Sequence, residues 1–110
     1  MSSVDDIIRL KDRVERARQE GDKGSEGDGL NELGIAFEKS QEYDKALPCY
    51  LLARRIREEL KDPEARLTQS NIDRLIAALG GKRFSQLMRR VGPRADKVVE
   101  KILKEKILNS

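Results

Sequence analysis

Histidine and tryptophan are missing from this 110-residue chain, and aromatic residues make up only 4% of it. The first absence removes the commonest general base and the commonest metal ligand. Scarce aromatics leave a core to be built from aliphatic side chains. The one cysteine, Cys49, cannot close an internal disulfide, and a reducing compartment suits it. No apolar run approaches the ~20 residues of a membrane span, and Asp5 and Asp6 sit beside Ile7 and Ile8 at the N-terminus. Neither a signal peptide nor a membrane partner is expected, and the cytoplasm is the expected location. With no nucleophile motif and no phosphate-cradling glycine loop, no catalysis, cofactor or metal is expected either.

Charge is what the chain has in excess: 39% of residues are charged, against about 25% in an average domain. Residues 1–81 hold 14 basic and 17 acidic residues, a net of −3, whereas residues 82–110 hold 9 and 3, a net of +6. The length fits a single domain, residues 1–110.

Apolar residues recur three and four apart, the period of one helical face. Ile7, Leu10, Val14 and Ala17 define a first helix over residues 4–20, with Ser3 as N-cap. The run "EGDKGSEGDG" contains four glycines, which predicts a linker and a break near residues 21–24, with a frayed start to the next helix at Gly27 and Gly29. A second helix is expected over residues 26–40. A third starts at Glu42 or Tyr43, passes Pro48 with a local distortion and ends near Lys61. Pro63 then opens a fourth, capped by Asp62 and facing inward with Leu67, Ile72, Leu75, Ile76 and Leu79. A short fifth helix over residues 82–91 and a sixth opened by Pro93 complete the chain. No segment alternates with the period of a strand, so the fold class is all-α.

Residues 30–53, "LNELGIAFEKSQEYDKALPCYLLA", raise a specific question. A glycine inside a helix costs about 1 kcal/mol relative to alanine, yet Gly34 lies mid-helix. The spacing of Leu30, Leu33-Gly34 and Phe37, followed by Ala46, Tyr50 and Ala53, resembles the tetratricopeptide repeat (TPR). That family pairs antiparallel helices so closely that small residues are needed where they meet. The resemblance implies that Gly34 and Ala46 form this contact, and that the fold is a TPR-like α-α superhelix, a helical-hairpin array of about six helices. Residues 1–22 would be an N-terminal helix, 26–62 the TPR helix pair, 63–80 a degenerate half-repeat and 82–110 basic capping helices. Residues 64–108 also resemble the closing segment of longer bacterial arrays.

The resemblance further implies a concave groove that takes a peptide or protein helix, lined by Asn31, Ile35, Glu38, Lys39, Thr68, Asn71 and Leu75. The expected function is a protein interaction module or adaptor, with self-association through the N-terminal helix because one repeat provides little core. The competing reading is nucleic-acid binding by the basic segment 82–106, through Lys82, Arg83, Arg89, Arg90, Arg94 and Lys97. Only Phe84 interleaves with these cations, and its spacing from Leu87 and Met88 is that of a core residue. A solvated face or an acidic protein partner is therefore expected ahead of nucleic acid. Cys49, on a packed helix, is read as a small core residue.

Overall fold

A computed structural model describes residues 3–105; the side chain of Ser3, expected to cap the first helix, and residues 106–110, the end of the basic segment, lie outside that description. The described chain is α-helical without strands: α1 (Ser3–Glu20), α2 (Lys23–Lys39), α3 (Tyr43–Glu59), α4 (Ala65–Leu79), α5 (Gly81–Val91) and α6 (Ala95–Lys104). None of these helices is long and apolar enough to cross a membrane.

Three turns of one kind connect the first four helices. Gly21, Gln41 and Lys61 each adopt a left-handed backbone, with φ of 68°, 59° and 55°. The next amide in each case reaches five residues back, from Asp22 to the Ala17 carbonyl at 2.9 Å, from Glu42 to Phe37 at 2.9 Å and from Asp62 to Arg57 at 2.8 Å. The left-handed residue itself reaches three back, to Arg18, Glu38 and Glu58. Each pair of bonds satisfies carbonyls that a helix end would otherwise leave open, which is the Schellman arrangement. The same stop thus recurs every 20 residues, and connections this short make consecutive helices hairpin partners.

The glycine-rich run is not the expected linker. Asp22 accepts the Ser25 amide at 3.1 Å and the Ser25 hydroxyl at 2.8 Å, so α2 is capped and begins at Lys23, three residues before the expected start. Gly27 and Gly29, expected to fray, are buried inside α2. A Cβ on Gly29 would lie 2.8 Å from Val14 Cγ2, so this glycine lets α1 and α2 approach. At Gly34 a Cβ would lie 2.6 Å from Tyr50 Cε1 and 2.7 Å from Cδ1. The missing side chain of Gly34 therefore makes room for the Tyr50 ring; Ala46, expected as its partner, is fully buried but is not among the atoms nearest that position.

α3 is the centre of the molecule, packing against α2, α4, α5 and α6, while α1 packs on α2. It runs unbroken through Pro48 and ends at Glu59, before the expected Lys61. Its residues Ala46, Leu47, Cys49, Tyr50 and Ala53 have no solvent exposure, and Leu30, Leu33, Leu75 and Val99 close over them from the neighbouring helices.

Beyond α3 the structure departs from the expectations at three places. Pro63 and Glu64 form a turn held by the Asp62 carboxylate, which accepts the Glu64 amide at 2.9 Å, and α4 proper begins at Ala65. Leu67 and Ile76, expected inside, are 56% and 37% exposed, because α4 buries only the stripe of Thr68, Ile72 and Leu75. A 3-10 turn, Gly92–Arg94, contains Pro93 and precedes α6, which Pro93 was expected to open. The last described helix is α6. It turns back over α3, where Arg55 meets Asp96 at 2.6 Å, and reaches α1, where the Lys11 ammonium donates to the Glu105 carbonyl. Burial lowers the pKa of that ammonium, an effect the nearby Glu105 opposes.

Candidate functional site

Three helices each contribute one stripe to a polar network between α2 and α4. Asp28, Asn31 and Glu38 come from α2, Thr68, Asn71 and Arg74 from α4, and Arg57 and Tyr50 from α3 beneath them. The spacings of three and seven residues place each set along one helical face.

The bonds run from one end of the groove to the other. Arg57 donates to Asp28 at 2.9 Å and to Thr68 Oγ1 at 2.8 Å. The Thr68 hydroxyl donates to Asn31 Oδ1 at 3.0 Å, and Asn71 Nδ2 donates to the same oxygen at 2.9 Å. Arg74 donates to Asn71 Oδ1 at 3.0 Å and forks onto both oxygens of Glu38 at 2.7 Å. The Tyr50 hydroxyl, at the bottom, donates to Glu38 Oε1 at 2.6 Å. Arg57 Nε is the one buried side-chain polar atom without a partner among the described residues.

This wiring sets the charges. The two bonds from Arg74 hold the Glu38 carboxyl below its ordinary value; burial pushes the other way, and the Tyr50 hydroxyl adds to the lowering. Burial, with the Glu38 carboxylate second, raises the Tyr50 phenol. Asp28, Asp62 and Glu64 bring ligand atoms within 4.8 Å of one another, the spacing of a cation site. The Arg57 guanidinium already supplies the positive charge there, 2.9 Å from Asp28 and 3.9 Å from Glu64.

The expected groove residues divide into three groups. Thr68 and Leu75 are fully buried, so neither faces a ligand. Asn31, Asn71 and Glu38 are half-buried and bonded to one another or to Arg74, and the two asparagines face each other rather than bracketing a free backbone. Ile35, half-buried, and Lys39, exposed and without an ion pair among the described residues, remain open. They line a hollow of about 390 Å³ with Glu38, Asn71 and Arg74. A second hollow of about 290 Å³ between α1 and α2 shares Ile35 and Lys39, so these two residues stand where the hollows meet. Sequence reasoning missed Arg74, Arg57 and the Tyr50 hydroxyl. Arg74 had a signal, since it follows Asn71 by three positions on the same face.

All six residues of the expected basic patch are exposed. Arg90, Arg94 and Lys97 share one groove, joined there by Lys45 and Lys101, which the sequence reading left out. Arg83 meets Arg90 in an adjoining hollow, whereas Lys82 and Arg89 line neither. Burial pushes the Cys49 thiol up to about 12, and its side chain is completely enclosed.

No family model, curated protein or solved structure matches the chain.

Proposed function

We propose that the protein is a TPR-like interaction module of the cytoplasm, without catalysis, that holds a peptide or a helix of another protein against α2 and α4. The observation that carries this reading is the half-buried Ile35 beside Lys39, which has no ion pair among the described residues, on a surface whose other polar groups are fixed in place by the network. A rigid, pre-wired floor with one apolar and one cationic contact loses little conformational freedom when a ligand settles on it. The Schellman turns recurring every 20 residues and the aromatic ring laid over Gly34 support the resemblance to the repeat family. In that reading α2 and α3 form the full helix pair and α4 the degenerate half.

Selection of peptides on the immobilised protein tests the proposal. Ile35→Ala and Lys39→Glu should each weaken a selected peptide about tenfold; the melting temperature should be unchanged in Lys39→Glu, whose side chain is exposed, and modestly lowered in Ile35→Ala, because Ile35 also packs against the core. Equal binding by both variants would reject the groove.

A second copy is the further partner this reading allows, since Val4 and Ile8 are 42% and 44% exposed one turn apart on α1. Light scattering of the wild type and of Ile8→Glu tests it, with dissociation expected in the variant.

A further inference from the structure

The groove framed by the start of α3 and the α5–α6 hairpin is a second surface, distinct from the one above. Four cations, Arg90, Arg94, Lys97 and Lys101, line it together with Lys45, which Glu42 holds at 3.3 Å, and Asp44 and Glu105 are its only acidic lining residues among those described. None of the four cations has an ion pair or hydrogen bond among the described residues. Arg9, Arg13, Arg16, Arg55, Arg74 and Lys104 each have a carboxylate within 4.0 Å; Lys39, Lys61, Arg66, Lys82, Arg83 and Arg89 also lack an ion pair among the described residues, but none of them lines this groove. Lys97 and Lys101 are four residues apart on α6, a spacing at which like charges on a helix repel. A partner that brings negative charge relieves this repulsion.

The groove has a floor as well as a rim. Val98 is half-buried within it, over the buried Val91 and Ile102. Its volume of about 380 Å³ is at the low end for a binding pocket, which suits one or two apolar side chains rather than a whole domain. None of the described lining residues is aromatic, and Phe84 is packed against the core instead. Single-stranded nucleic acid gains most from stacking on exposed rings, and a phosphate backbone has no use for an apolar floor. A segment with one or two apolar anchors between carboxylates matches both features.

We propose that this groove binds an acidic amphipathic peptide segment of a partner protein, its apolar side chains on Val98 and its carboxylates on Arg90, Arg94, Lys97 and Lys101. Fluorescence anisotropy with three labelled probes of equal charge tests it: a peptide with Leu at helical spacing among Glu, a polyglutamate peptide, and single-stranded DNA. The amphipathic peptide should bind tightest and weaken as salt rises. The double variant Arg90→Glu/Lys97→Glu should weaken it at least tenfold. Val98→Ser should weaken it severalfold while leaving polyglutamate unaffected, which a purely electrostatic face would not show. Lys39→Glu should leave all three unchanged, so this result stands apart from the fate of the α2–α4 groove. Circular dichroism of each variant guards against loss of fold. DNA binding as tight as the amphipathic peptide, binding indifferent to the charge reversal, or no binding of that peptide at low salt would overturn the proposal.

Discussion

The ring of Tyr50 occupies the space that a side chain at Gly34 would fill, with Cε1 only 2.6 Å from where a Cβ would sit. The ring cannot easily retreat: Tyr50 is fully buried, and its hydroxyl is tied to Glu38 at 2.6 Å. Gly34→Ala should therefore destabilise the protein although alanine is the better helix former. Overpacking costs about 1–3 kcal/mol and propensity returns about 1 kcal/mol, so a net loss of up to about 2 kcal/mol is expected in urea unfolding. Combining it with Tyr50→Val should remove most of the penalty of the glycine change, a non-additivity that a generic helix effect lacks.

Gln41 and Lys61 hold left-handed conformations that their side chains disfavour, whereas Gly21 does so at the same place in its own turn. Lys61→Gly should raise stability by up to about 1 kcal/mol, because the left-handed strain of a non-glycine residue is about 1–2 kcal/mol and the flexibility of an unfolded glycine offsets part of it. Thermal melts check this. A lowered melting temperature would mean that the Lys61 side chain contributes more than its strain.

Glu38 makes stability depend on pH. Its folded pKa lies below the ordinary 4.5, chiefly through the Arg74 bonds. The ionised form is thus favoured in the folded state; this contribution is complete above the ordinary value and is lost as pH falls through the folded one. Between about pH 6 and pH 3, the urea midpoint of Glu38→Gln should fall less steeply than that of the wild type. Parallel curves would show that the Arg74 contact does not persist in solution.

The Cys49 thiol should be inert in the folded protein. With its pKa pushed up to about 12 and no solvent contact, it should fail to react with a disulfide reagent at pH 8 and react fully in denaturant. Rapid reaction under native conditions would mean that α3 opens around Pro48.

Helix periodicity was enough to place most of the elements, because the buried apolar stripes of α1 and α6 are aliphatic and regular. It misread the glycine-rich run, since glycine signals both a break and a close approach, and only the Val14 methyl against Gly29 and the Asp22 cap decide between them. The 20-residue recurrence of the turns was half visible: Gly21-Asp22 and Lys61-Asp62 stand out, but Gln41-Glu42 carries no turn residue that a sequence would flag. The groove was legible as a face and not as a network. Asn31 and Asn71 were both identified, yet that they bond to each other depends on how closely α2 and α4 approach. Leu67 and Ile76 read as core because the apolar pattern of α4 is wider than the surface α3 offers it.

The most direct test of the central claim is an amide chemical-shift map of the isotope-labelled protein with a peptide selected on its surface, recorded in the Arg90→Glu/Lys97→Glu background so that the second groove is silenced. Perturbations clustered at Ile35, Lys39, Asn71 and Arg74 are the predicted result. A saturating peptide that leaves those four amides unmoved and shifts residues elsewhere would contradict it.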